Sequence, residues 1–499
     1  MQRSTHAETG NEDVYSIFTP HQKLAIVLVA SVAAFISPAS AYVYLPAMAA
    51  MGEDLGASPN SMNWSITTYI IFQGIAPSFM SSLTESQGRR PVYILCLLIY
   101  LAANIGLVLQ RSYAGLLILR CLQSTGSSAM VLLGTSVIAD VSTTAERGKY
   151  YSIGYTATVL GPAVAPVLGG VLTQYLGWRS VFVFLIIVAG AVLGVILLFY
   201  PETSRQIVGN GSQTPQPWNV PAWQLATRAV GKKKNSQQQP EEPKAAVSRG
   251  TKLSNPLRSL LLLFDKHTGF ILFYTGLAYA AFNFVISGLQ ALLVEIYGLN
   301  ELQVGLSYIP IGVGAMLSAA VLSRLVDWNY RRLATEHEFP VTYTRQLKLG
   351  SFPIEKARLQ IALPMAWAAS AAVLAYGWVL HRGVHLAGPL ALLVVIGFSN
   401  TGTVNVMTTL AMDVYPRHKT TVSSVAAATN LAKCMFGAAA SAFVLPLIEA
   451  VGTGWAHTLM GLVWAFASLL LILPILKGPT WRVQEEGERG QRETTANEK

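Results

Sequence analysis

Apolar stretches about twenty residues long recur twelve times along this chain, separated by polar breaks. They run at 25–47, 64–83, 92–110, 115–138, 150–173 and 179–199. After a long polar segment they resume at 268–293, 303–325, 360–380, 387–409, 422–446 and 456–476. At a rise of about 1.5 Å per residue, each can cross a hydrocarbon core roughly 30 Å thick. A buried soluble helix accounts for any one such run, but not for twelve in series. The pattern predicts an all-α membrane protein of twelve transmembrane helices. Several runs carry Gly, Pro, Ser or Asn at mid-length. A helical bundle tolerates these, because small residues let helices approach and neighbours satisfy freed backbone groups.

Composition agrees: 52% of the 499 residues are hydrophobic, 12% are charged, and the mean hydropathy is +0.44. A soluble chain is about a quarter charged, so lipid is the expected solvent here. Well over half of the 35 Lys and Arg fall in loops after even-numbered spans. Loops after odd-numbered spans hold Arg111, Arg179 and Arg382. The positive-inside rule then places both termini in the cytoplasm. The net charge of +10 is accordingly a topology signal and not evidence for nucleic acid. Cys96, Cys121 and Cys434 lie within spans and read as free thiols, with neither disulfide nor metal site implied. The first 24 residues are polar, and the run that follows is too long for a signal-peptide core, so it reads as an uncleaved first span. Asn63-Trp-Ser65 is a glycosylation sequon on the external side, close to span two; Asn210-Gly-Ser212 faces the cytoplasm.

The long polar segment divides the chain into a tail (1–24), a six-helix bundle (25–200), a linker (201–266), a second bundle (267–477) and a second tail (478–499). The linker carries Lys232-Lys233-Lys234, a Gln run and several prolines, and reads as a solvated tether near anionic lipid. Its end, near 256–265, is apolar but too short to cross and suggests an interfacial helix. The halves share a pattern: Glu85-Ser-Gln-Gly88-Arg89-Arg90 follows span two, and Asp327-Trp-Asn-Tyr-Arg331-Arg332 follows span eight. Each sets a carboxylate four residues before an Arg pair. Six-span halves of this kind pack as parallel pseudo-repeats, with a substrate site between them at mid-depth.

These residues resemble the major facilitator superfamily, and within it the fungal twelve-span drug:H⁺ antiporter group with its quinidine-resistance and citrate-exporter branches. The loop signature G-x-L-a-D-r-x-G-R-[RK] is similar to Ser81-Ser-Leu-Thr-Glu85-Ser86-Gln-Gly88-Arg89-Arg90, with Ser81, Glu85 and Ser86 departing from it. Leu119-Arg120-Cys-Leu-Gln123-Ser-Thr-Gly126 resembles the family's intramembrane Arg motif. Gly161-Pro162-Ala-Val-Ala165-Pro166-Val-Leu-Gly169-Gly170 resembles the antiporter signature GPxxGPxxGG, with Ala165 for one Gly. Asn430-Leu-Ala-Lys433-Cys434 resembles N-L-x-R-C, with Lys for Arg, and Phe352-Pro-Ile-Glu-Lys-Ala-Arg-Leu359 also looks like that branch.

The acid-x₃-Arg-Arg loops can make ion pairs between helix ends that hold in one conformation and break in another; the arginines also serve topology. The Gly/Pro run offers a face without bulk for close helix contact. Arg120 and Lys433 matter most for cargo, since a charge deep in a span faces a cavity or a partner. Lys433 lies about 17 Å from the inner end of its span and Arg120 about 9 Å from the outer end of its own. No carboxylate lies comparably deep. Two readings stay open: an organic anion completes the site, or Arg120 is satisfied by backbone and Gln123 and the cargo is neutral or cationic. Gln73, Gln123, Asn283, Gln290, Asn405 and Asn430 are expected along the path or as interhelical glue. An amine at that depth can also exchange a proton.

The expected function is a secondary transporter exporting a small organic molecule, an organic acid or secondary metabolite, by alternating access, with the proton gradient as the drive that the resemblance implies and facilitation by the membrane potential alone as the alternative. No cofactor, metal or catalytic residue is implied, and no GxxxxGK[ST] points to ATP. The alternatives are a multidrug exporter and a transporter-like membrane sensor. A monomer in the plasma membrane is expected, with the vacuolar membrane as the alternative.

Overall fold

The structure, a computed structural model, describes residues 16–213, 215–216, 219–224, 262–336, 352–414 and 422–480. The basic and Gln-rich runs of the linker, and most of the expected interfacial helix, lie outside the described residues. Only a 3₁₀ turn, Leu262–Phe264, is described in that helix's place.

Twelve long helices carry the fold. They are α1 (Pro20–Tyr42), α2 (Pro59–Gln87), α3 (Arg89–Leu109), α4 (Tyr113–Val141), α5 (Thr144–Leu176) and α6 (Arg179–Leu198), then α7 (Lys266–Tyr297), α8 (Ile309–Glu336), α9 (Ile354–His381), α10 (Ala387–Val414), α11 (Val422–Val451) and α12 (Thr453–Leu469). Eleven of the described segments are long and apolar enough to cross a membrane. The exception is α2, whose 29 residues include Asn63, Ser65, Thr67, Thr68, Gln73 and Ser78. Its polar side is turned inward: Asn63, Ser65 and Thr67 are buried. Such a helix is held by neighbours and does not need to be apolar all round.

Local signals set the ends. Thr19 caps α1 in a capping box with Gln22, and Ser58 caps α2 ahead of Pro59. Gly298 ends α7 in the left-handed conformation. Most observed helices start or end beyond the predicted spans; α5, predicted at 150–173, covers Thr144–Leu176. The extra turns project beyond the apolar core, where hydropathy no longer marks them. The first predicted span, 25–47, is α1 plus a 3₁₀ turn at Leu45–Ala47, and a short helix, Met48–Leu55, continues it.

Packing repeats under a shift of six helices. In the first half α1 packs on α4 and α5, α2 on α4, and α3 on α4 and α6. In the second half α7 packs on α10 and α11, α8 on α10, and α9 on α10 and α12. The halves meet along two seams, α2 with α11 and α5 with α8, which exchange under the same shift. The result is a pseudo-twofold pair of six-helix bundles. Large apolar side chains such as Ile118 and Phe466 are exposed on the outside, whereas the buried interior is rich in Ala, Ser and Tyr. That inversion is expected where lipid replaces water.

Candidate functional site

The face at which α1 begins is the near face; odd-numbered helices end on the far face. A cavity of about 370 Å³ lies between the halves. Gln73 and Pro77 of α2, Arg120 of α4, Pro162 of α5, Tyr279 and Asn283 of α7, and Asn430 and Lys433 of α11 all line it. Met412 and Ala426 also line it, each within about a turn of the near-face end of its helix. No Asp or Glu is among the lining residues.

Proline chemistry shapes this wall. Pro77 has no N–H to donate to the carbonyl four residues earlier, that of Gln73. Asn430 Nδ2 donates to that carbonyl at 3.0 Å from the other half. Beside it, a β-carbon on Gly74 would fall 2.7 Å from Cβ of Cys434, so the α2–α11 seam admits no side chain there.

The two deep cations differ in their surroundings. Arg120 is 1% exposed, and its guanidinium lies 4.1 Å from the ring centroids of both Tyr44 and Tyr69. Its Nη1 donates to Gln123 Oε1 at 2.6 Å and to the Ser40 carbonyl at 3.4 Å, while Nε has no partner. Gln123 in turn donates to Asn104 at 2.8 Å, and the tyrosine hydroxyls contact Ser65 and Ser127. Arg120 is thus held by neutral groups of the first half. Lys433 has only the Tyr279 ring, 5.9 Å from Nζ, and no carboxylate pairs with it among the described residues.

Of the other predicted path residues, Gln123 sits behind Arg120 and does not line the cavity. Gln290 lines a separate far-face cleft. Asn405 lies on α10 and lines neither.

The Gly/Pro run of α5 is a packing face on three partners. A β-carbon on Gly161 would meet Pro38 of α1 at 2.6 Å, and one on Gly169 would overlap the Val43 carbonyl. Gly170 lies against the backbone of Glu301 and Leu302, and Gly305 against the Pro166 carbonyl; a β-carbon would fall 2.5 Å from the nearest oxygen in both cases. Gly312 of α8 abuts Ala163. Glu301, Leu302 and Gly305 belong to a short helix, Glu301–Leu306, just ahead of α8, and its contacts with α5, together with that of Gly312, close the boundary between the halves toward the far face.

At the near face Arg89 Nε pairs with Asp140 at 3.0 Å. The Glu202 carboxylate accepts from the backbone N–H of Arg89 (2.9 Å) and Arg90 (3.2 Å), from Thr203 and Ser204, and from Asn219 Nδ2. Arg90 donates to the carbonyls of Ile196 and Leu197. The side chain of Glu85 lies outside the described residues. In the second half, Asp327, Arg331 and Arg332 are in α8 itself and exposed, with Arg332 5.7 Å from the Trp328 ring. The pair that matches Arg89–Asp140 by helix position is Arg358 of α9 with Asp413 of α10, at 3.1 Å. Sequence reading missed Glu202, Arg358 and Asp413. The helix-start position of Arg358 in the quoted Phe352–Leu359 segment was the available signal.

Comparison with known proteins follows the same line. The Major Facilitator Superfamily profile matches residues 30–441. The MFS-type transporter phiD of a fungal species is 39% identical over 469 residues, covering 94% of this chain and 70% of that one. Citrate exporter 1 of Aspergillus niger is 34% identical over 485 residues, covering 96% and 90%. Among solved structures, the xylose transporter XylE from E. coli, in a partially occluded inward-open conformation, superposes with a TM-score of 0.60. It is 14% identical and covers 90% of this chain and 97% of its own. By family match, by relatives above 30% identity and by its pseudo-twofold pair of six-helix bundles, this chain belongs to the Major Facilitator Superfamily, a family of transporters and not of enzymes.

Proposed function

We propose that the protein exports a small organic acid by alternating access. The observation that carries this reading is a cavity lined by Arg120 and Lys433 and by no Asp or Glu. A carboxylate entering that cavity supplies the charge that the wall lacks, and desolvation strengthens the pairing. Lys433 is the group that meets it, since Arg120 is already engaged by Gln123 and Ser40 and contributes a positive field from the first half. A relative whose name is that of a citrate exporter supports the same cargo class.

The charge distribution favours the near face as cytoplasmic, with both termini inside, and a monomer in the plasma membrane as the working unit. The proton gradient is the proposed drive. Lys433 can release and retake a proton as cargo leaves and enters, which a guanidinium does not do. The near-face networks around Glu202, and the Arg358–Asp413 pair, would hold the helix ends of each half together while the halves rock. The tyrosines of the cavity wall favour a second reading, export of a neutral or cationic aromatic compound.

Flux in proteoliposomes separates the two. Labelled citrate and a hydrophobic cation are loaded in parallel, with and without a pH gradient, for the wild type and Lys433→Ala. The anion reading expects citrate efflux to fall at least about tenfold in the variant, with cation flux unchanged. Equal loss for both solutes removes it.

A further inference from the structure

A second cavity of about 650 Å³ lies between the halves at the far face, apart from the central one. Its first-half wall is the Met48–Leu55 helix and the start of α2; its second-half wall is the ends of α7 and α11. Its charge is opposite to that of the central cavity. Glu53, Glu295 and Glu449 line it, and no Lys, Arg or His does. All three carboxylates are exposed, and none pairs with a cation among the described residues.

An independent observation lies deeper. Asn63 lines the same cleft, is 1% exposed, and has no hydrogen-bond partner for either Oδ1 or Nδ2. A buried amide left wholly unsatisfied is costly, and a ligand in the cleft that pairs with it recovers that cost. Gln290, also buried and also lining the cleft, is a second amide at that level. Around these amides the walls are apolar, through Met48, Met62, Leu445 and Ile448.

We propose that this cleft is a far-face binding site for an amphipathic organic cation. Its positive charge sits among the three glutamates, its apolar body lies against the methionines and Leu445, and an N–H or carbonyl of the ligand satisfies Asn63. A metal ion fits less well. Among the described residues no three acidic, His or Cys side chains come close enough to hold one, so the carboxylates act as a field and not as a ligand set. The volume is that of a site for a drug-sized molecule. Because the walls belong to different halves, a bound cation bridges them and favours the conformation in which they stand as here.

Rhodamine 6G, an amphipathic cation with N–H donors, is the probe. Its fluorescence anisotropy is followed with the full-length protein in detergent, at low and high salt. Saturable binding is expected, weakened about tenfold by Glu295→Gln/Glu449→Gln and also by added salt. Asn63→Leu should weaken the probe by about fivefold while leaving the protein at least as heat-stable as the wild type, since it removes an unsatisfied buried amide. Unchanged binding in both variants overturns the proposal. So does loss of binding in Lys433→Ala alone, which would put the cation in the central cavity.

Discussion

Asn430 donates its side-chain amide to the backbone carbonyl of Gln73, 3.0 Å away across the boundary between the halves. That carbonyl is free because Pro77, one turn on, has no N–H to give it. Asn430→Ala therefore leaves a backbone acceptor unpaired in a low-dielectric setting and should cost about 1–3 kcal/mol in the state seen here. Pro77→Ala restores the intrahelical bond. The double variant should accordingly be less impaired than the sum of the singles, read by thermal unfolding in detergent. Strict additivity would show that the two residues do not share that carbonyl.

Gly88 is a position where the backbone itself admits one residue type. Its φ is +101°, and a β-carbon there would run into the Glu202 carboxylate. Gly88→Ala pays for left-handed strain and also pushes Glu202 off the N–H groups of Arg89 and Arg90; a loss of about 2–4 kcal/mol is expected. Adding Glu202→Ala removes the carboxylate clash and leaves the contact with the flexible end of Ile207, so the second substitution should cost far less in the Gly88→Ala background than in the wild type. Thermal unfolding of the four proteins gives the cycle.

The fold was legible in sequence because membrane solvation imposes it: twenty-residue apolar runs and asymmetric Lys/Arg loops leave few alternatives. Residue types with an inherent cost in a bilayer were legible too, and Arg120 and Lys433 stand out for that reason. What stayed hidden was pairing. Glu202 follows a proline at the end of α6 in an ordinary polar sequence, and only folding brings it onto the α2–α3 turn. Asp327 and Arg331 look like a repeat of Glu85 and Arg89, yet α8 continues through them, and the Arg358–Asp413 ion pair of that half is announced by no such repeat. Gln73 carried a signal in plain view, since Pro77 four residues on predicts a carbonyl in need of a donor. No local feature says that the donor comes from α11.

Arg120 and Lys433, similar in sequence, should respond differently to replacement. Arg120 is stacked between Tyr44 and Tyr69 and bonded to Gln123, all within the first half. A lysine keeps the charge but loses the planar stack and the fixed donor geometry. Arg120→Lys should destabilise the protein by about 1–2 kcal/mol and lower flux of every solute in similar proportion. Lys433→Arg should leave stability nearly unchanged and alter the selectivity of efflux. Thermal unfolding combined with two-solute flux reads both.

The boundary of α5 with the second half, formed by the Glu301–Leu306 helix and α8, closes by tight contact at small residues. Gly170 meets the Glu301 carbonyl, Gly305 meets the Pro166 carbonyl, and Gly312 meets Ala163, so no side chain at these positions can be absorbed by a rotamer change. Rigid helices do not deform to take a new methyl group; they separate. Gly312→Val should thus hold the far-face ends of α5 and α8 apart and bias the protein toward the conformation open on that side. Alternation needs both conformations, so flux should fall at least about tenfold although the protein folds. The direction is checked by labelling. A Leu302→Cys probe on that seam should react faster with a membrane-impermeant maleimide applied to the far face in the Gly312→Val background than alone. Val at Gly74, on the α2–α11 seam against Cys434, tests the other pseudo-equivalent boundary and should likewise reduce flux. A Gly312→Val protein with wild-type flux and unchanged labelling would mean that the α5–α8 contact does not take part in alternation.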